Sequence, residues 1–335
     1  MSRWARDPEA AADALIGRSL DALDLSGRVL LANASGGLAS LLAERGIAFR
    51  RWDRRLKAGA GAQPWPPPGP FDLAIVRLAR AKDEQEMTAH AVFSVLASQG
   101  RLLLYGGNDE GIRSAAAGLA ELSGTIDTIA KRGHGRVLAA RPPPRAELRQ
   151  NLAAWRRLDT LPIAGQPRPW VSYPGLFAAG EIDAGTALLV ASLPALPAGA
   201  RVADFGCGSG VIGAALTLTA GIDLDMIDDD SVALIAAKEN VPAGHAILGS
   251  SLQQAKAGLY DAILSNPPLH AGSSESHAAL ETLVREAPAH LRPGGCLQIV
   301  LQRRIALERL LAAHLEEVRV LADNGRYRVW RARRG

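Results

Sequence analysis

The sequence predicts an α/β protein with a mostly parallel, doubly wound sheet, present in two tandem copies. Three observations lead there. Short apolar runs alternate with stretches of helical periodicity, glycine loops sit where strand should turn into helix, and a proline-rich break divides the chain. The break is "RPPPRAELRQ" at 141–150, followed by "AGQPRPW" at 164–170. It sets the expected organisation: a first domain over 1–145, a linker over 146–170 and a second domain over 171–335.

In the first half, "RVLLANASGG" reads as strand and glycine loop, and "LASLLAERG" as helix. "FDLAIVRLA" is a strand before its crossover, and "GRLLLYGG" is the next strand. The second half repeats this grammar more fully. "RVADF" runs into a glycine loop and the apolar helix "VIGAALTLTAG"; "IDLDMIDDDS" is strand then acidic turn, and "VALIAAKEN" is helix. "HAILGSS", "YDAILSNPP" and "GGCLQIVLQ" supply further strands, and "EVRVLADNGRYRVWRARR" folds back on itself around Asn324–Gly325. Parallel strands closed by an antiparallel hairpin make a seven-stranded sheet. The likeness of the halves points to a duplication whose first copy is degenerate, having lost its acidic residue and part of its glycine pattern.

Composition bounds the function classes. With 335 residues, 48% hydrophobic and 21% charged, the chain has material for two cored domains. No apolar run reaches membrane-spanning length and the start lacks the apolar core of a signal peptide, so a cytoplasmic protein without a membrane partner is expected. Cys207 and Cys296 stand far apart, offering neither a disulfide framework nor zinc spacing, and the histidines show no metal pattern. A net charge of +4 favours a polyanionic partner. Arg50, Arg51, Arg54, Arg55 and Lys57 crowd one short stretch, and Arg326, Arg328, Arg331, Arg333 and Arg334 share the last hairpin and tail. Two such groups raise the expectation of nucleic-acid binding.

"VADFGCGSG" puts Asp204 at a strand end, followed by Gly206, Gly208 and Gly210. Glycines let the backbone pass close to a ligand, but Asp204 would repel a pyrophosphate, and the spacing is not that of dinucleotide binders. A carboxylate there suits a cationic or zwitterionic ligand, and S-adenosyl-L-methionine carries an ammonium and a sulfonium. Asp228, after the next strand, stands where a carboxylate accepts ribose hydroxyls. Asp229 and Asp230 read as the turn and N-cap of the following helix. After the third strand, Ser250 and Ser251 offer hydroxyls toward an adenine amine, with Ser251 the candidate contact.

In "LSNPPLH" the two prolines stop a strand at its carboxyl end, where α/β folds hold ligands. An exocyclic or amide nitrogen is a poor nucleophile because its lone pair is delocalised. The side-chain oxygen of Asn266 and the carbonyl of Pro267 can accept its two hydrogens and aim the lone pair at a methyl group. Pro267 and Pro268 stiffen these acceptors before the reaction. His270 reads as a phosphate contact or cap.

"VADFGCGSGVIGAAL", "DAILSNPPLHAG" and "NGRYRVWRA" together resemble the bacterial tandem-domain ribosomal-RNA guanine-N2 methyltransferases, the small-subunit type most closely. "YPGLFAAGEIDAGTALLVASL" (173–193) and "GGNDEGIRSA" (106–115) carry the resemblance into the lead-in segment and the first half. It implies two Rossmann-like class I methyltransferase domains and S-adenosylmethionine bound through Asp204, Gly206, Gly208, Gly210 and Asp228. It further implies a guanine amine held by Asn266, Pro267 and Pro268, and a first copy that serves folding and RNA binding. The implied partner is ribosomal RNA or the small subunit, and the implied state is a monomer with an internal pseudo-dimer. Two positions depart from the family. Leu269 stands where an aromatic residue stacks on the target base, a contact typically worth about 1–3 kcal/mol, which makes Phe177 in the lead-in the candidate substitute. Ala271 stands where small-subunit members tend to carry an acid. The NPP motif also serves enzymes that methylate a protein glutamine. A non-catalytic RNA-binding assembly factor would keep the same fold, so both readings stay open at this stage.

Overall fold

The computed structural model describes residues 8–23, 25–57, 59–178, 180–218, 221–255, 258–267 and 274–335. The chain forms two compact units, Met1–Arg156 and Arg157–Gly335.

The second unit is a seven-stranded sheet in the order β11-β10-β9-β12-β13-β15-β14. Its strands are β9 (Arg201–Phe205), β10 (Asp223–Asp228), β11 (His245–Leu248), β12 (Tyr260–Ser265), β13 (Leu291–Gln302), β14 (Glu316–Asp323) and β15 (Tyr327–Arg333). The first five run parallel, while β15 pairs antiparallel with both β13 and β14. Central strands of a doubly wound sheet are covered on both faces and so read as continuous apolar runs. In β12, Ala262 and Leu264 face one core while Ile263, between them, faces the other. That is the two-residue alternation of a pleated strand. Residues 157–172 fall within the second unit as an antiparallel hairpin, β7 (Arg157–Ile163) and β8 (Gln166–Ser172), across much of the stretch read as linker. Leu161, Ile163 and Trp170 of that hairpin are buried in the second unit's core.

The first unit has six strands in the order β2-β1-β3-β4-β6-β5. These are β1 (Val29–Ala32), β2 (Phe49–Trp52), β3 (Phe71–Arg77), β4 (Leu96–Gly107), β5 (Ile126–Arg132) and β6 (Gly135–Ala140). Strand for strand this is the order of the second unit without the outermost β11. The stretch that would supply that strand contains Pro64, Pro66, Pro67, Pro68 and Pro70, and proline cannot donate to a ladder. The expected seven-stranded sheet is therefore realised in the second copy only.

Candidate active site

The site is built at the carboxyl ends of β9, β10 and β12. Gly206 and Gly208 have φ of +71° and +54°, and a Cβ on either would meet nothing within 4 Å, so the loop presents bare backbone to open space. Gly210 differs. At φ +92° it caps the helix Val211–Leu216, and a Cβ there would meet Val241 and Ala237 of the neighbouring segment at 3.1–3.4 Å. Its role is helix packing, whereas the first two glycines leave room for a ligand.

Asp204 is fully buried at the end of β9. One carboxylate oxygen accepts from the Gly213 amide at 3.1 Å, while the other, Oδ1, is buried without a partner among the described residues. Burial, with the nearby Asp228 charge, pushes this carboxyl up to about 7 against the pull of the Gly213 amide. Asp228 holds the loop itself, accepting from the Gly208 amide at 2.8 Å and from the Asp230 amide at 2.9 Å. Burial and the charges of Asp229 and Asp230 lift it to about 7 as well. Each of its oxygens keeps a second lone pair for a hydroxyl donor. An orphaned buried carboxylate oxygen, two glycines facing open space and a second acid beside them fit S-adenosylmethionine, the cofactor expected from the sequence. Asp230 is the N-cap of the helix Ser231–Asn240, accepting from the Val232 and Ala233 amides.

The hairpin β7–β8 clamps this loop. Trp170 donates from Nε1 to Ser209 Oγ at 3.2 Å, and Asn240 bonds the backbone of both Val171 and Ser209.

Asn266 follows β12, whose last residue, Ser265, donates from Oγ to the carbonyl of Phe205 at 2.7 Å and so ties the two strand ends together. The Asn266 amide is held by a segment 80 residues away in sequence. Its Nδ2 donates to Asp183 Oδ2 at 3.1 Å and to Thr186 Oγ1 at 2.8 Å. Asp183 is the N-cap of the helix Ala184–Val190, accepting from the Gly185 and Thr186 amides and from the Thr186 hydroxyl. An ionised carboxylate only accepts, so the nitrogen of the Asn266 amide must face it. Among the described residues no group donates to the amide oxygen, which is left for a donor from outside. Pro267 is half-buried beside it; Pro268, Leu269 and His270 lie outside the described residues. Asp183 and Thr186 were not legible as site residues, although "DAGT" does carry a visible N-cap signal.

The family model described as the methyltransferase small domain matches residues 169–331. A Hahella chejuensis protein named ribosomal RNA small subunit methyltransferase C is 30% identical over 92% of this chain and 94% of its own. A protein of the same name from Pseudomonas syringae pv. tomato is 30% identical over 98% and 97%. The chain belongs to the ribosomal RNA small subunit methyltransferase C family. Among solved structures, the T. thermophilus 16S rRNA N2 G1207 methyltransferase, in complex with AdoMet and guanosine, superposes with a TM-score of 0.84 at 24% identity. The match covers 99% of this chain and 93% of that one, and it shows the shared fold.

Within this member of the methyltransferase C family, the two units can be compared position by position. The Gly206 amide donates to the Ile227 carbonyl, and in the first unit the Asn33 amide donates to the Trp52 carbonyl. Strand register then sets Leu31 at the place of Asp204, Asn33 at Gly206, Asp53 at Asp228 and Arg77 at Asn266. The acid lost from the first copy is thus the one that would meet an ammonium, while the second acid survives as Asp53. The first unit fills the space over its own loop. Lys57 donates to the Asn33 and Ala34 carbonyls at 2.7 and 3.1 Å, Arg51 donates to the Ala34 carbonyl, and Arg51 pairs with Asp53.

That packing ties most of the two basic groups into the fold. Arg54 is buried against Glu84, and Arg55 bonds both oxygens of the same carboxylate at 2.6 and 3.2 Å. With Arg51 and Lys57 also engaged, Arg50 is the exposed member of its group. In the second group, Arg331 bonds Gln298 and the Ser192 carbonyl, Arg328 pairs with Asp323, Arg333 with Glu317, and Arg334 bonds the Leu291 carbonyl. Arg326 alone of these five is exposed.

Two further expectations meet different surroundings. Ser251 donates to both oxygens of Glu286 at 2.8–2.9 Å and accepts from the Gln253 amide as the cap of a 3-10 turn, so its hydrogen is committed to the fold and one lone pair of its oxygen is left for an amine donor. Phe177 is 57% exposed on the segment leading to Asp183. No group of three or more His, Cys, Asp or Glu among the described residues is arranged to hold a metal, and no described helix is long and apolar enough to cross a membrane.

The Asn266 clasp makes a prediction of its own. Asp183→Ser combined with Thr186→Val keeps a good N-cap but removes both acceptors that orient the amide. The expected result is a fall of about 10²-fold in kcat for methyl transfer, the scale of a small misplacement at a reacting centre. Circular dichroism melting should shift by a few degrees at most. An unchanged kcat in the double variant would show that Asn266 is oriented without the clasp.

Proposed function

We propose that this chain transfers a methyl group from S-adenosylmethionine to the exocyclic N2 amine of a guanine in 16S ribosomal RNA. The chemistry is assigned to the second unit, with the first as the degenerate structural copy, in a protein acting as a cytoplasmic monomer. The observation that carries the reading is the clasped amide of Asn266. Its nitrogen is committed to Asp183 and Thr186, so its oxygen, which has no donor among the described residues, is an acceptor at the strand end beside the glycine loop.

When bound, the cofactor supplies an electrophilic methyl on a sulfonium. Asp204 would take its ammonium on the unpartnered Oδ1, Gly206 and Gly208 would let it approach the backbone, and Asp228 would accept from the ribose hydroxyls. Asn266 Oδ1 and the Pro267 carbonyl accept the two hydrogens of the guanine amine, which draws the nitrogen toward tetrahedral geometry and localises its lone pair. As the new C–N bond forms and the methyl–sulfur bond breaks, leaving a neutral thioether, the nitrogen becomes cationic and acidic, and it loses one of those protons to water. No side chain with a pKa tuned for proton abstraction is needed. The work of the site is preorganisation of acceptors.

Transfer of labelled methyl from S-adenosylmethionine tests this, with unmethylated small subunits, large subunits and stripped ribosomal RNA as substrates. Label recovered as N2-methylguanosine in 16S RNA is the expected result. Label in protein glutamine, or bound cofactor with no transfer to any RNA, would overturn it.

A further inference from the structure

The carboxyl ends of β12 and β13 point the same way because the two strands are parallel. β15 begins at that same end, being antiparallel to β13 with Tyr327 opposite Gln302. The topology therefore brings Arg303 and Arg304, just past β13, and Arg326, just before β15, to the sheet end that carries Asn266. The Arg303 amide donates to the Arg326 carbonyl at 2.9 Å, joining the two segments. From β12 to β15 is two strand spacings, about 10 Å. A chain of contacts spans the gap. Asn266 is bonded to Asp183, Asp183 accepts from the Gly185 amide, and a Cβ on Gly185 would meet Tyr327 Cδ1 at 3.1 Å. The Arg326 guanidinium lies over the Tyr327 ring, 5.3 Å from its centroid.

The three arginines are exposed. Asp323 is the acid that meets this group, and it is already engaged. Its Oδ1 accepts from the Gly325 amide, and its Oδ2 takes Arg328 Nε and a terminal nitrogen at 3.1 and 2.9 Å. Arg303 reaches Asp323 only at 3.5 Å, and such an exposed pair contributes little to stability. Arg303 and Arg328 share that one carboxylate, and with the exposed Arg304 and Arg326 they leave a positive rim beside the strand end where the base would enter. Unlike the arginines that serve the fold, these three are available to a ligand.

We propose that Arg303, Arg304 and Arg326 form a phosphate-binding rim that grips the RNA backbone flanking the target nucleotide. The proposal rests on the RNA substrate argued above. A guanidinium fork matches phosphate oxygens bidentately, and phosphate contacts set register and orientation while the site itself reads the base.

The test is the triple variant Arg303→Gln, Arg304→Gln, Arg326→Gln, assayed on whichever of stripped 16S RNA or the unmethylated small subunit the parent protein methylates. Binding is measured over 50–300 mM salt. Three lost phosphate contacts should make the slope of log K against log salt shallower by about 2. KM for the RNA should rise by about 10-fold or more near 150 mM salt, and the corresponding triple arginine-to-lysine variant should restore most of the slope. Calorimetric affinity for S-adenosylmethionine should stay at the parent value, which reports that the unit is folded. A glutamine triple variant with the parent's salt slope and KM overturns the rim while leaving the proposed reaction standing. A parent that neither binds nor methylates RNA overturns the reaction, and the rim with it.

Discussion

Asn266→Ala should lower kcat for methyl transfer by about 10²–10³-fold, the scale seen when one preorganised polar group is removed from a reacting centre. The loss should fall on kcat, because the acceptor acts on the amine as it becomes a nucleophile and makes no contact with the cofactor-binding acids. Affinity for S-adenosylmethionine, measured by calorimetry, should stay within a few-fold of the parent. The alanine leaves Asp183 still engaged with the Gly185 and Thr186 amides, so the helix cap survives and the variant should fold. A variant that methylates at the parent's rate would remove Asn266 from the mechanism.

Asp204→Asn is expected to weaken S-adenosylmethionine binding by about 2–5 kcal/mol, roughly 30- to several-thousand-fold, the usual penalty for truncating one partner of a buried charge pair. It should also change the pH dependence of binding. Pushed up by burial to about 7 from the ordinary aspartate value of 3.8, the carboxyl favours its protonated form at lower pH in the empty protein. Its contribution to stability is therefore full below about pH 4 and is lost as pH rises through about 7. A bound ammonium reverses that preference, since it pairs with the ionised form. Cofactor affinity should accordingly rise between pH 5.5 and 7.5, a range in which an α-ammonium stays largely protonated. Asp204→Asn should lose the part of that rise owed to this group, with Asp228 supplying the remainder. Thermal-shift titrations at several pH values would read both effects, and an identical pH profile in parent and variant would show that Asp204 does not meet the ammonium.

The buried arginines show why charge in a sequence is a poor guide to a binding face. Five basic residues in eight positions read as a polyanion site, yet Arg54 and Arg55 share Glu84, some 30 residues downstream, and Arg51 and Lys57 close the loop after β1. Nothing local in "RRWDRRLK" announces those partners. Arg303 and Arg304 stood outside both clusters. Only the pairing of β13 with β15 sets them beside Arg326 at the working end of the sheet.

What the sequence by itself determined are features governed by neighbours along the chain. Glycines with positive φ after "VADF", prolines ending the strand before Asn266, the Asp230 cap and the Asn324–Gly325 turn are each set by the backbone preferences of a few consecutive residues. Apolar alternation then orders the strands into a doubly wound sheet. Tertiary structure alone decided the rest. It commits Ser251 to Glu286, separates Gly210 from the glycines that face open space, omits a strand from the first copy and places Arg77 where Asn266 stands in the second. It also gives Asn266 its orientation, through a carboxylate that is 83 residues away in the chain and 3.1 Å away in the fold. Hydrogen bonds and ion pairs depend on distance in space, and sequence spacing carries that information only within a turn or two of backbone.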